Sequence, residues 1–173
     1  MEPARPARVW RLSEEGRVLC YPLAEKLAPF QPGIILSSVE PKAKETAEIL
    51  AEHLHKSAQV EAGLQEHERG NEPFLASPED FQTRIQKLFR HPEQHIFGGE
   101  TASQALARYT NAIHRIVAAH PEQNILLVSH GTVMSLFVAQ YNFLDGYDFW
   151  RKLKTPDWVV LTLPNFSLVP PEV

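Results

Sequence analysis

Residues 125–133 read ILLVSHGTV, and this stretch decides the fold class. Its apolar first part predicts a buried strand at 124–129, and the apolar residues that follow predict a helix at 132–141. His130 is therefore expected at the carboxyl end of a strand, directly before a helix N-terminus. In open α/β sheets ligands bind at that edge, and helix N-termini favour anions. The stretch predicts an α/β protein that handles anionic ligands such as phosphate.

Composition favours one domain, which we place at 1–173, because 43% of the 173 residues are hydrophobic. The formal net charge is −4 and the Lys and Arg residues form no basic stripe, which argues against nucleic-acid or membrane partners. Cys20 is the only cysteine, and the N-terminus lacks the apolar run of a secretory signal. These features favour a cytoplasmic protein with a small-molecule partner.

The N-terminal half predicts an arm followed by helices and strands. Residues 1–12 are rich in Pro, Ala and Arg, which predicts an extended arm. Ser13 is the expected cap of a helix running toward Leu27, in which Pro22 favours a kink or a later start. Then come a buried strand at 33–37, a helix with the apolar stripe Ala43, Ala47, Leu50 and Leu54, and a strand at 60–64.

The middle of the chain is less regular. We interpret 70–100 as an insertion, or lid, over the sheet edge, because its first residues are rich in Gly, Asn and Pro. Within it, Ser77 opens a helix whose inward residues are Phe81, Ile85, Leu88 and Phe89. Thr101 begins a capping box for a long helix through Ala119.

The C-terminal part completes the alternation. A turn is expected at Asp145-Gly146, and the β-branched residues of 158–163 predict a last strand. Strands that alternate with helices predict a three-layer α/β/α sandwich with a mostly parallel central sheet.

Several motifs occur in an order that resembles one known family. They are Trp10 to Arg17, Ser37-Ser38 with Lys42-Ala43 and Glu45-Thr46-Ala47, Leu64-Gln65-Glu66, Gly99-Glu100-Thr101 and Val128-Ser129-His130-Gly131. Together they cover nearly the whole chain and resemble the histidine phosphatase superfamily in its phosphoglycerate-mutase-like branch. The resemblance implies a phosphoglycerate-mutase-like fold and a phosphomonoester hydrolase that works through a phosphohistidine, without metal or other cofactor.

The resemblance also implies a nucleophilic histidine in an Arg-His motif that ends a first strand. This sequence has no such motif, and its first histidine is His53. The first strand is therefore expected to be missing or replaced, and the chain to be either truncated at its N-terminus and inactive or a true pseudoenzyme. A second register lays residues 8–12 in the slot of the first strand, but it puts Ser13-Glu14 where Arg-His should stand. A missing central strand would expose strand edges, which predicts marginal stability or association into homo-oligomers.

The resemblance assigns roles to individual residues. His130 is the histidine that stabilises the transferring phosphoryl group, and Glu66 is the general acid, a role that needs a raised pKa. Lys42 stands where most members place a phosphate-binding arginine, so the charge is kept but the bidentate fork is lost. Arg17 is a second phosphate-binding candidate. The candidates for supporting groups are His67, Arg69, Ser129 and Gly131.

Three functions follow for a small phosphorylated metabolite or phosphate as partner. A phosphomonoester hydrolase is favoured over a mutase, because a mutase needs a strongly basic site and few basic residues cluster here. A pseudoenzyme that binds phosphate without cleaving it stays open. The histidine pairs His53 with His55 and His91 with His95 predict no metal site, because the first pair diverges and Pro92 interrupts the helix that would align the second.

Overall fold

The computed structural model describes residues 6–69 and 77–170, in which helices and strands alternate. The helices are α1 Glu14–Leu27, α2 Pro41–His53, α3 Pro78–Arg90, α4 Ala102–Ala119, α5 Gly131–Asn142 and α6 Gly146–Lys152. The strands are β1 Ile34–Ser37, β2 Ala58–Val60, β3 Ile125–Val128, β4 Leu161–Thr162 and β5 Ser167–Leu168. Short 3-10 turns lie at Ala7–Val9 and Ala28–Phe30.

Strand β1 is the middle strand of a parallel sheet with the order β2-β1-β3. Its side chains alternate between the two faces of the sheet. Leu36 packs in a core with Tyr109 of α4 and Phe137 of α5, whereas Ile35 packs on the other face with Ala47 of α2. A parallel sheet buries both faces and needs helices on each. The predicted α/β/α sandwich is confirmed.

The helix caps that the sequence predicts are present. Ser13 Oγ accepts a hydrogen bond from the Gly16 N–H, and Thr101 forms a capping box at the start of α4. Helix α1 begins directly after Ser13 and includes Pro22, so the predicted later start is wrong. The missing proline N–H leaves the carbonyl group of Val18 without its helical partner, but Val18 is exposed and water can supply that hydrogen bond.

Two predicted strands lie elsewhere or are shorter. The strand expected at 60–64 is Ala58–Val60, because β2 pairs with β1 only up to the point where Ser37 ends that strand. Gly63 then turns the chain with φ 97°. Leu64 is fully buried in the core without being in a strand, which explains the misleading apolar signal.

The C-terminal prediction needs a similar correction. Of the strand expected at 158–163, only Leu161–Thr162 pairs, and it does so in a separate antiparallel two-stranded sheet with β5. The turn at Asp145-Gly146 is the start of helix α6, which the sequence did not predict. Asp145 caps that helix by accepting a hydrogen bond from the Asp148 N–H.

The arm at 1–12 is not extended throughout. Residues 1–5 lie outside the described residues, Ala7–Val9 forms a 3-10 turn, and the Trp10 carbonyl accepts a hydrogen bond from the Lys42 N–H. These contacts hold the segment against the start of α2. Residues 70–76 of the proposed insertion are also outside the described residues, and its role as a lid stays a prediction.

Strand β3 ends the three-stranded sheet, and no strand of the described residues pairs with its outer edge. Association of chains through this edge stays a prediction, which sedimentation velocity over a range of concentrations would check. Within the described ranges, no helix has the length and apolar character needed to cross a membrane.

Candidate active site

Strands β1 and β3 are parallel neighbours, so the residues that follow them meet at one edge of the sheet. Ser38 follows β1, and His130 follows β3 as the residue that precedes α5. The Nε2 atom of His130 lies 2.9 Å from Ser38 Oγ and 3.5 Å from Glu40 Oε1. All three side chains are buried, which places a polar cluster at the edge where ligands bind in such sheets.

The carboxylate of Glu66 lies at the N-terminus of α5. Its Oε1 atom accepts hydrogen bonds from the His67 N–H at 2.9 Å and the Val133 N–H at 3.3 Å. Its Oε2 atom accepts from the Thr132 N–H at 3.3 Å and from Arg69 Nη2 at 3.3 Å. The first N–H groups of a helix have no partner within the helix and favour an anion. This point in the structure is therefore an anion site, and Glu66 occupies it.

Glu40 contacts both His130 and the loop that carries Glu66. Its Oε2 atom lies 2.6 Å from Lys42 Nζ, and its Oε1 atom accepts a hydrogen bond from the Glu66 N–H at 2.9 Å. Lys42 Nζ also donates to the Ala7 carbonyl at 2.8 Å. The predicted lysine is thus beside the site and is already paired with a carboxylate.

The loop that carries Glu66 also brings in two of the predicted supporting residues. His67 is buried, and its Nε2–H donates to the Glu100 carbonyl at 2.8 Å. The Arg69 guanidinium lies over the Phe81 ring, 4.8 Å from its centroid. Arg69 therefore reaches Glu66 from a position that α3 helps to fix.

The remaining predicted residues have other environments. Ser129 Oγ donates to the Leu64 carbonyl at 2.9 Å and so ties β3 to the loop that carries Glu66. Gly131 starts α5, and an added Cβ would meet nothing closer than Trp150 Nε1 at 3.6 Å, so no close approach requires glycine there. Arg17 forms an ion pair with Glu45, so its phosphate-binding role stays a prediction.

The family profile of the histidine phosphatase superfamily (branch 1) matches residues 10–164. The chain belongs to the histidine phosphatase superfamily. No curated protein sequence matches it.

Solved structures share this fold. YhfR of Bacillus stearothermophilus is 20% identical with a TM-score of 0.74, over 96% of this chain and 86% of that chain. The α-ribazole phosphatase of Shigella flexneri is 20% identical with a TM-score of 0.68, over 93% and 86%. A mycobacterial glucosyl-3-phosphoglycerate phosphatase is 24% identical with a TM-score of 0.64, over 83% and 73%. At these identities the likeness concerns the fold.

Electrostatics set the protonation states of the candidate site in this member of the histidine phosphatase superfamily. Burial raises the pKa of Glu66, but the Arg69 charge, the charge that His130 carries when it is protonated and the hydrogen bonds from backbone N–H groups outweigh it, so that the pKa is lowered. Burial lowers the pKa of His130, against the opposing effect of Glu66 and Glu40, and burial also lowers the pKa of His67. At neutral pH the site holds an ionised carboxylate and a neutral imidazole. Glu66 in this arrangement lacks the raised pKa of a general acid.

Sequence reasoning missed several residues of this site, among them Glu40 and Arg108. Glu40 follows β1 closely at the carboxyl edge of the sheet, and that position was a usable signal. Arg108 of α4 donates to the carbonyl groups of Gly63, Gln65 and Glu66 and to the Glu100 carboxylate. The sequence feature that could have identified Arg108 is its position as a cation on the same face of α4 as buried alanines. Arg108 positions the loop that carries Glu66.

The described residues contain no group of three or more His, Cys, Asp or Glu side chains arranged to hold a metal ion.

Proposed function

We propose that this chain binds phosphomonoesters at the N-terminus of α5, as the phosphoryl-binding and acid–base part of a phosphomonoester hydrolase. The carboxylate of Glu66 carries this proposal, because it accepts hydrogen bonds from the Thr132 and Val133 N–H groups beside the Arg69 guanidinium. A phosphoryl group needs the same set of donors. The phosphatases of similar fold support a phosphate-containing ligand.

Each side chain of the cluster has a task in this proposal. Lys42 and Arg69 neutralise the charge of the phosphoryl group, and His130 donates a hydrogen bond from its imidazole N–H to a phosphoryl oxygen. A phosphoryl group at the N-terminus of α5 displaces the carboxylate of Glu66. Glu66 then loses the hydrogen bonds that lower its pKa, and its burial gives it the raised pKa of an acid that protonates the leaving oxygen.

Hydrolysis through a phosphohistidine needs an imidazole nitrogen that is free to attack phosphorus. The contacts of the described residues bring His67 and His130 to this site. His67 Nε2 is engaged with the Glu100 carbonyl, and His130 Nε2 faces Ser38 Oγ. We propose that the chain as given binds phosphomonoesters and does not turn them over, since the Nε2 atoms of both histidines are engaged and no strand of the described residues ends in an Arg-His motif.

A true pseudoenzyme, whose site binds phosphate without being part of any hydrolase, is the second candidate. The observation that favours it is the pairing of both nearby cations, because Lys42 is bound to Glu40 and Arg69 to Glu66. Paired cations stabilise less of the charge that develops during phosphoryl transfer. The same pairing argues against a mutase, which needs a strongly basic site.

The test combines binding and turnover on the full chain. Phosphate binding is measured by titration calorimetry, and turnover is measured with an aryl phosphate. We expect binding without turnover in the unaltered chain, and a loss of affinity of at least about tenfold in His130→Ala, since a hydrogen bond to a charged group is lost. The matched control is His95→Ala, because His95 is exposed and lies outside the cluster.

Circular dichroism and thermal melting establish that each variant is folded. A folded chain that binds no phosphate would refute the proposal. Turnover that disappears in His130→Ala but persists in His95→Ala would show that another nucleophile operates. Ser38, which hydrogen-bonds to His130, would then be the first residue to replace.

A further inference from the structure

Glu40 has no task in the proposed reaction, yet it is buried in the middle of the site. It is the residue that precedes α2, but its side chain makes no capping hydrogen bond to that helix. Its side chain is 7% exposed and points instead toward Lys42, His130 and the Glu66 N–H. Burial of a carboxylate costs free energy unless the carboxylate is paired. The contacts across the site, and not a cap of α2, therefore account for the buried position of Glu40.

The charges around Glu40 come from three parts of the chain. The segment after β1 supplies Glu40 itself and Lys42, the loop after β2 supplies Glu66 and Arg69, and the segment after β3 supplies His130. The two carboxylates balance the two permanent cations, and His130 is neutral at neutral pH because burial lowers its pKa. A phosphoryl dianion that enters this site meets cations that are already neutralised.

The two carboxylates differ in what a ligand requires of them. Glu66 leaves α5 when a phosphoryl group takes its place, and it then has a task as an acid. Glu40 accepts the backbone N–H of Glu66 and is held by Lys42 at 2.6 Å, so it stays beside the ligand. Like charges repel strongly in a buried site, where screening is weak.

We infer that Glu40 is an internal competitor that sets the affinity of the site for phosphoryl groups, because its carboxylate occupies the Lys42 ammonium group and lies beside His130, the groups that a phosphoryl dianion needs. This inference rests on the proposed function, since it concerns the same site. It makes Glu40 a residue that determines specificity: the site disfavours dianionic phosphoryl groups relative to monoanionic ones. Removal of this one negative charge releases Lys42 for the ligand.

The substitution that tests this inference is Glu40→Gln. Glutamine keeps the volume of the side chain and an oxygen that can accept the Glu66 N–H, so the change removes mainly the charge. The matched control is Glu52→Gln, which makes the same charge change at an exposed position near the other end of α2. Titration calorimetry with inorganic phosphate at about pH 8, where a phosphoryl group is mostly a dianion, measures the affinity of each full-length variant.

We expect Glu40→Gln to bind phosphate at least about tenfold more tightly than the unaltered chain, and Glu52→Gln to stay within about twofold of it. The gain should disappear when Lys42→Met is added, because Lys42 is the cation that the substitution releases. Equal affinities in Glu40→Gln and the unaltered chain would overturn the inference and leave the proposed function standing. No binding in either chain would overturn the proposed function itself. If thermal melting shows that Glu40→Gln does not fold, Glu40→Met supplies a neutral side chain of similar length for the same comparison.

Discussion

Two buried carboxylates, one within helix α2 and one directly before it, are held in different ways. Glu45, within the helix, accepts hydrogen bonds from Arg11 Nε, Arg17 Nη2 and the Leu12 N–H, all of which belong to the segment that precedes and begins α1. Glu40, just before the helix, reaches across the sheet edge to the groups around His130. One cluster joins the N-terminal segment to α2, and the other lies in the candidate active site.

The unpaired polar atoms distinguish the two clusters. Both carboxylate oxygens of Glu45 have donors. In the candidate site, Arg69 Nε, His67 Nδ1 and Thr132 Oγ1 are buried and have no hydrogen-bond partner among the described residues. Most buried polar groups in folded proteins are paired, so several unpaired ones in one place indicate a ligand site. The comparison teaches that Arg17 belongs to a structural ion pair, although its charge and position in sequence suggested phosphate.

The largest effect is expected where the loop of the candidate site is fixed to the rest of the fold. Gly98 has φ 81°, and a Cβ atom there would overlap the Glu68 carbonyl oxygen. Gly98→Ala should therefore destabilise the protein by about 3 kcal/mol and disturb the loop that carries Glu66, because backbone atoms would have to move. Urea unfolding measures the change.

Gly99→Ala is the matched control for this substitution. Its Cβ atom would meet Glu68 Oε2, the end of a side chain that can move aside, so we expect a loss below about 1 kcal/mol. Similar losses in both variants would mean that the strained backbone of Gly98 is not what fixes the loop.

Glu45→Ala tests the structural cluster directly. The substitution removes the partners of two arginines and a backbone N–H, and we expect a loss of about 2 kcal/mol in the free energy of unfolding. The exposure of Arg11 keeps the estimate below that for a fully buried ion pair. Phosphate affinity should not change. Glu52→Ala, at an exposed position of the same helix, is the control.

A loss of phosphate affinity in Arg17→Met, with the affinity of Glu45→Ala unchanged, would contradict the separation of the two clusters. It would also support the phosphate-binding role that the sequence predicts for Arg17.

Local signals in the sequence predicted the elements that carry the site, but not how its charges are paired. Strand β1, the capping box of α4 and the position of His130 follow from apolar runs and caps within a few residues. The contacts of Glu40 with His130, of Arg108 with the loop of Glu66, and of Arg17 with Glu45 join residues far apart in sequence. No local sequence pattern indicates contacts between residues so far apart in the chain. Helix α6 was missed because it is short and its cap, Asp145, is also a common turn residue.

The buried histidines of the site predict a pH dependence of stability. Burial lowers the pKa of His67 and of His130, so the unfolded chain binds more protons than the folded one as the pH falls below the ordinary histidine value of about 6.5. Stability should fall with decreasing pH in that range, by at most about 1.4 kcal/mol per pH unit for each histidine.

Urea unfolding at several pH values measures this slope. His67→Gln should flatten it, whatever the variant loses in stability at neutral pH. His95→Gln, at an exposed position, is the control and should leave the slope unchanged. An unaltered slope in His67→Gln would show that His67 does not contribute to the acid sensitivity.

The smallest effect on stability is expected at Thr132, where the comparison of the two clusters is tested most finely. Thr132 Oγ1 is buried without a hydrogen-bond partner among the described residues, and Ser135 Oγ on the same helix is in the same condition. Thr132→Val and Ser135→Ala each remove an unpaired hydroxyl group, so each should leave stability unchanged or raise it by less than about 1 kcal/mol.

Phosphate affinity should distinguish the two variants. The hydroxyl group of Thr132 belongs to the residue whose N–H lies at the anion site, whereas Ser135 is one turn further along α5. We expect a loss of about threefold in Thr132→Val and none in Ser135→Ala. Equal affinities in the two variants would mean that an unpaired hydroxyl group at the start of α5 does not mark the ligand site, and the contrast with the fully paired Glu45 cluster would then rest on Arg69 and His67.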